Sequence, residues 1–225
     1  VHGSRGLGDV YKRQLYCCSF SANTVVYKGL VMPSEFDSFY TDLSDTSHRT
    51  ASVMFHIRFS TNTSPKWHLA QPYRVIAHNG EINTISGNRN WALARMNNLS
   101  SKRFGNMRKY QPLVNQSGSD SSSLDNMIEV LKEGGVNIGR AARMLIPPSW
   151  QNTDLMDSDE KAFHEYNSMH MEAWDGPALI CFQDKNFLSC FLDRNGLRPA
   201  KIEFFNDETV CISSEFGSNN DNLKT

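Results

Sequence analysis

At 225 residues the chain suits one large domain and falls short of two. Its 39% hydrophobic and 21% charged residues supply a real core and exclude a disordered tail. Lys and Arg number 23 against 24 Asp and Glu, a net charge of −1, so the basic excess of a nucleic-acid binder is missing.

No apolar run nears the ~18 residues of a membrane span, and no charged-then-apolar signal opens the chain, so no membrane partner is expected. The five cysteines are odd in number and lack CxxC spacing, which speaks against a disulfide framework or a zinc site and for a reducing, intracellular compartment.

Residues 1–14, VHGSRGLGDVYKRQ, show no apolar periodicity and read as a non-native leader. Their GLG lacks the preceding strand and following helix that a phosphate loop requires. From Tyr16 to Val31 the pattern is strand-like, and 52–59, SVMFHIRF, alternates. Val53, Phe55, Ile57 and Phe59 share one face there, and Arg58 falls on the other. YRVIAH at 73–78 is a further strand, running into Asn79-Gly80, the strongest short hairpin signal.

Helices are predicted over 88–97 and from Asp120, where Leu124, Met127, Ile128 and Leu131 stand at i, i+3, i+4 and i+7. Ser122 with Asp125 reads as the start of that second helix, and Gly134-Gly135 as its stop. A third helix covers 138–145 before Pro147-Pro148, and a fourth covers 159–171 with Ala162, Phe163, Tyr166 and Met169 on one face. PALICF, FLSCFL, KIEFF and TVCIS then read as an antiparallel meander. Strands, helices and strands again, without βα alternation, predict an α+β fold.

Three patterns could carry chemistry: HIRFSTNT at 56–63, HNGEINT at 78–84 and GSDSSSLDN at 118–126. Each has a plain structural reading beside the functional one. Arg58 could be an exposed ion-pair partner, Asn79-Gly80 a type I′ turn, and Asp120 a helix cap. His56, His68 and His78 lack ligand spacing, so no metal is expected. Cys181 and Cys190 lie in apolar strands, where a buried inert thiol is the default. The basic stretch 99–111 reads as a solvated loop.

Together with VYKG at 26–29, GNRNW at 87–91, WDGPA at 174–178 and DRNGLRP at 193–199, these patterns resemble the class II glutamine amidotransferase domain. The likeness runs from about Tyr16 to Phe216 and is strongest to the amidotransferase part of glutamate synthases. It implies an N-terminal-nucleophile hydrolase fold, an αββα sandwich of two antiparallel sheets between helical layers, incomplete here at the N-terminus.

The resemblance also implies a common task for the three patterns, which is to hold L-glutamine while a cysteine thiolate cleaves its side-chain amide. Arg58 would grip the α-carboxylate with its planar fork, and Asp120 would pair with the α-ammonium. Glu81 joins them in the substrate-holding set. The Asn79 side-chain N–H and the Gly80 backbone N–H would form the oxyanion hole.

In the family the nucleophile is a processed N-terminal cysteine upstream of the VYKG segment, and Cys17 and Cys18 match interior positions instead. On this reading 15–217 is a partial glutamine amidotransferase type 2 domain, 218–225 is a truncated tail, and the fragment alone is inactive. The ammonia would pass to 2-oxoglutarate in a synthase domain of the same polypeptide, with FMN and an iron-sulfur cluster there and no cofactor in this piece. A small NAD(P)H-oxidising subunit is a further expected partner, and the electron donor stays open between NADPH, NADH and ferredoxin. The expected location is the cytoplasm, or the plastid in a plant or alga. The rival readings are the glutaminase domain of another class II amidotransferase and a degenerate, non-catalytic glutamine-binding domain.

Overall fold

The computed structural model describes residues 15–59 and 64–215. The expected leader and tail, and Ser60 to Thr63 of RFSTNT, lie outside the described residues. The chain divides into two compact units, residues 1–74 and 75–225.

Among the described residues the first unit is irregular, with one short α-helix, α1 (Phe36–Phe39), and three short 3-10 helices. Its centre is Lys28, a buried cation. The ammonium donates to the carbonyls of His68 and Ala70 at 3.1 and 2.9 Å and lies over the rings of Tyr16 and Tyr73. A buried ammonium needs such partners, and carbonyls with aromatic faces supply them.

Neither strand expected in this unit forms among the described residues. In the first, peptide groups are satisfied locally: Val26 N–H donates to Ser19 Oγ, and the Arg74 guanidinium takes the Cys17 carbonyl. In the second, alternation survives without a ladder. Val53, Phe55 and Ile57, expected in the core, are 64%, 62% and 72% exposed. Period-2 patterning fixes which side chains share a face, but a strand also needs a neighbour for its backbone.

The second unit opens with β1 (Ile76–Gly80), which starts three residues later than the pattern suggested, followed by α2 (Ile85–Arg95). A small hairpin, β2 (Ser100–Ser101) with β3 (Gly105–Asn106), stands within the basic stretch expected as a loop. The helices α3 (Asp120–Glu133), α4 (Ile138–Leu145) and α5 (Ser158–Ser168) come next, then β4 (Ala178–Gln183), β5 (Leu188–Leu192), β6 (Lys201–Phe204) and β7 (Val210–Ser213).

The main sheet has the order β1-β4-β5, antiparallel throughout, while among the described residues β6 and β7 pair only with each other. The expected meander is thus two hairpins, the first extended by a strand from a hundred residues earlier. The result is an α+β architecture, as the element order predicted.

α3 forms where its periodicity placed it, with Leu124, Met127 and Ile128 buried. Its cap differs from the expectation. Ser119 accepts from Ser122 N–H at 3.1 Å, and Gly135, at φ 92°, turns the chain out of the helix. Asp125 is buried inside the helix rather than part of its start.

α4 buries Ile138, Ala141, Ala142 and Leu145, the i, i+3, i+4, i+7 stripe, under an Asn137 cap. The face of α5 was misread: Ala162, Tyr166 and Met169 are exposed, and His164 and Asn167 are buried. His164 stacks on Trp150, and its burial together with Arg143 lowers its pKa from the ordinary 6.5, against the pull of Glu160. Two polar residues on the buried face leave an apolarity count nothing to find.

The sheet packs on α3 through the face that carries Ile76 and His78 on β1 and Ile180 and Phe182 on β4, all buried. Asp125 Oδ1 accepts from the N–H groups of Val75 and Ile76 at 2.9 and 3.2 Å, and His78 Nδ1 meets Ser121 Oγ at 2.8 Å. Asp125→Ala should therefore destabilise the fold by about 3 kcal/mol, because it strands two buried donors. Urea unfolding tests this, and a loss below about 1 kcal/mol would remove Asp125 from its place as the link between α3 and β1.

Candidate active site

Asn79-Gly80 is not a hairpin turn. Both residues lie in β1, opposite Leu179 and Ala178 of β4, and the turn reading is corrected accordingly. The dipeptide rule applies only when the flanking segments pair with each other, and here the partner strand comes from far along the chain.

The ladder carries on beyond the strand. Gln183 N–H donates to Val75 O, Glu81 N–H to Pro177 O and Asn83 N–H to Asp175 O, at 2.8, 3.1 and 2.7 Å. Bonded and unbonded pairs alternate in an antiparallel ladder. The odd-numbered residues of β1 therefore bond β4, and the N–H groups of Ile76, His78, Gly80 and Ile82 point to the opposite edge.

On that edge, α3 takes the N–H groups of Ile76 and Ile82. Asp125 accepts from Ile76, and Asp120 Oδ2 accepts from Ile82 at 2.8 Å. The Gly80 N–H is directed outward between the two. Gly80 itself has φ 144°, and a Cβ there would fall 1.9 Å from the Pro177 carbonyl oxygen, so no other residue fits.

Asn79 points to the other face of the sheet, half-buried, and its Nδ2 donates to Ser214 Oγ at 2.8 Å. This bond fixes the amide orientation and engages one of its two hydrogens. Asp120 opens α3, where a carboxylate is favoured by the helix N-terminus. Its Oδ1 accepts from Ser121 N–H at 2.7 Å and from Ser121 Oγ at 3.2 Å. Asn79, Gly80, Asp120 and the exposed Glu81 are thus brought together within the second unit. Arg58 belongs to the first unit, where it is exposed and its backbone N–H donates to His56 Nδ1 at 3.2 Å.

The other motifs form a frame around this edge. WDGPA runs beside HNGEINT so closely that a Cβ on Gly176 would meet the Glu81 carbonyl at 1.7 Å. Thr84 Oγ1 accepts from Asp175 N–H and donates to Asn88, whose Nδ2 reaches the Ala173 carbonyl. From GNRNW, Arg89 donates to the Gly118 and Ser119 carbonyls at 2.7 and 3.2 Å and to Ser123 Oγ at 3.1 Å, holding the loop before Asp120. From DRNGLRP, Arg194 grips the Asp175 carboxylate with two bonds of 3.0 and 2.9 Å.

Asp193 is the densest node. Its carboxylate accepts from the backbone N–H groups of Ala178, Asn195, Leu197 and Arg198. Burial works to raise its pKa, and the backbone donors outweigh burial and hold it below the ordinary 3.8. Sequence reading missed Asp193, Arg89, Asp125 and Ser214 as organising residues. For Asp193 a signal existed, since Asp two residues before Asn-Gly is an Asx-turn pattern. For Ser214 none did. Among the described residues no group of three or more His, Cys, Asp or Glu is arranged to hold a metal ion, and no helix is long and apolar enough to cross a membrane.

Residues 4–223 match the family model described as class II glutamine amidotransferases, and the chain belongs to that family. Within it, the chain is 46% identical over 203 residues to the NADPH glutamate synthase large chain of Bacillus subtilis, covering 90% of this chain and 13% of that protein. It is 41% identical over 209 residues to the NADH glutamate synthase of Schizosaccharomyces pombe, with 92% and 10% covered. To ferredoxin-dependent glutamate synthase 2 of Synechocystis it is 42% identical over 215 residues, with 94% and 14% covered. The chain thus spans about a tenth to a seventh of the length of these relatives.

The sign of the Asp193 effect follows from its lowered pKa. Stability from the charged form is present above the unfolded value near 3.8 and is lost as pH falls through the lower folded value. Asp193→Asn should be less stable than the parent at neutral pH and should lose less on acidification to about pH 3. Urea midpoints at the two pH values decide it, and parallel acid losses in both proteins would refute the assignment.

Proposed function

We propose that this chain is the glutamine-holding part of a glutaminase that releases ammonia inside a glutamate synthase. The observation that carries the proposal is the edge of β1, where the Gly80 N–H and the Asp120 carboxylate stand two residues apart, about 6.6 Å along a strand. That separation is comparable with an extended glutamine from ammonium to side-chain amide.

In this reading Asp120 accepts from the α-ammonium with the lone pairs left by Ile82 and Ser121. Arg58 takes the α-carboxylate, and Glu81 lines the same substrate. When a thiolate attacks the amide carbon, negative charge grows on the amide oxygen. The Gly80 N–H and the second Asn79 amide hydrogen donate to it, with Ser214 holding Asn79 in position. Donors set in advance cost no reorganisation at the moment of reaction. The attacking thiolate is assigned to a cysteine other than the five here, and the 225 residues alone are expected to release no ammonia.

The reading extends to the longer protein. A second sheet against the Asn79 face would complete the αββα sandwich. The ammonia would reach 2-oxoglutarate in a synthase domain carrying FMN and an iron-sulfur cluster, and no step proposed for this chain passes through either. A small NAD(P)H-oxidising subunit and a cytoplasmic or plastid location belong to the same reading.

Calorimetric titration with L-glutamine tests it. The chain should bind, and Asp120→Asn should weaken binding by about 10-fold or more. In a chain that carries its nucleophile, Asn79→Ala should lower kcat by about 100-fold or more with little change in KM. Absence of glutamine binding sinks the proposal, and equal losses in binding and turnover at Asn79 remove it from the oxyanion hole.

A further inference from the structure

β4 and β5 each carry one cysteine, and the register sets Cys181 directly opposite Cys190. The position within the ladder matters. Asp193 N–H donates to Ala178 O and Asp184 N–H to Phe187 O, so the bonded pairs fall at even-numbered residues of β4. Cys181 and Cys190 are therefore an unbonded pair, the kind in which Cα atoms approach to about 4.5 Å and side chains lie closest. That is inside the roughly 4.4–6.8 Å range over which two cysteines can be bridged without moving the backbone.

The side chains already face each other. The two Sγ atoms are 2.8 Å apart, both residues are half-buried, and β5 is the outer strand of the described sheet. The other cysteines have no such partner geometry: Cys17 and Cys18 are chain neighbours, and Cys211 stands opposite Glu203 in the other hairpin. Ala77, Cys181 and Cys190 are in line across the three strands, one pleat from Asn79 and Leu179 on the same face.

We propose that Cys181 and Cys190 are a reversible redox site, a dithiol that closes to a cross-strand disulfide by exchange with a low-molecular-weight disulfide such as oxidised glutathione. The hydrogen bond from the Cys181 thiol lowers the pKa of Cys190 against the effect of burial, and the same bond, with burial, raises that of Cys181. Cys190, which lies on the outer strand of the described sheet, is placed as the attacking sulfur. Its thiolate bonds to one sulfur of the oxidised disulfide, the S–S bond of that molecule breaks, and one thiolate leaves and takes a proton. Cys181 then gives up its proton and attacks Cys190 Sγ, expelling the second small thiol. Two protein thiols are oxidised, one disulfide is reduced to two thiols, and the two protons end on the products.

The test is mass spectrometry of the folded chain after exposure to oxidised glutathione and alkylation of remaining thiols. The expected result is a linked Cys181–Cys190 peptide pair lacking two hydrogens, restored to two alkylated cysteines by dithiothreitol, while Cys17, Cys18 and Cys211 stay out of that link. In Cys181→Ser, which lacks the resolving thiol, Cys190 should accumulate as a mixed disulfide with glutathione. The proposal is overturned if Cys181 and Cys190 are both fully alkylated when Cys17 has reacted with the oxidant. It is equally overturned if they carry separate glutathione adducts, or if the linked pair forms only after the chain is unfolded in urea.

Discussion

Among the described residues the outer edge of β1 is held at its two ends by side chains of α3 rather than by another strand, and the arrangement of the second unit follows from that. A strand with one ladder neighbour leaves every second N–H without a backbone acceptor, and such groups are costly when buried. α3 supplies carboxylates for this purpose. Asp125 covers the start of β1 and Asp120 reaches the N–H of Ile82 just past its end. A carboxylate buried as deeply as Asp125 would be costly alone, but charge-assisted bonds to two peptide donors offset its desolvation. The helix and the strand therefore fix each other in rotation and in register.

That arrangement leaves the Gly80 N–H directed outward on an edge whose two ends are held by Asp125 and Asp120. Glycine is required there by the backbone of Pro177, which leaves no room for a Cβ, independently of any chemistry. The same crowding brings WDGPA against HNGEINT, and the Arg194–Asp175 and Asp193 bonds then tie the β5 exit to the β4 entry. Motifs spread over more than a hundred residues thus serve one short stretch of strand. Their fixed bonds account for the length of the motifs better than the handful of residues that would touch a substrate.

Much of this was legible in the sequence, and the failures have a common cause. α3 came from the apolar periodicity of Leu124, Met127, Ile128 and Leu131, α4 from the Pro147-Pro148 stop that follows it, and the last four strands from short β-rich runs between polar turns. The 16–31 and 52–59 segments misled because alternation reports a shared face and says nothing of a partner. Asn79-Gly80 misled for the same reason, since a turn motif and a strand end share one dipeptide and only the pairing partner separates them. The α5 face was hidden because His164 and Asn167 occupy buried positions. Asn79, Gly80 and Asp120 were grouped through family likeness. Ser214, 135 residues from Asn79, could be found only in the folded chain.

The two faces of the β1-β4-β5 sheet hold different chemistry. One face, with Ile76, His78, Ile180 and Phe182, is closed against α3 and has the burial of a core. The other carries Asn79, Cys181 and Cys190, partly exposed and polar or polarizable. Strand alternation makes this division unavoidable: once His78 is committed to Ser121, Asn79 must face away from the helices. A one-residue slip of β1 would send Asn79 into the apolar layer and His78 to the opposite face. The carboxylate clamp at both ends of β1 opposes that slip, because each bond lies at a single register position. In this fold the bonds that stabilise the strand also decide which side chain faces away from the helices.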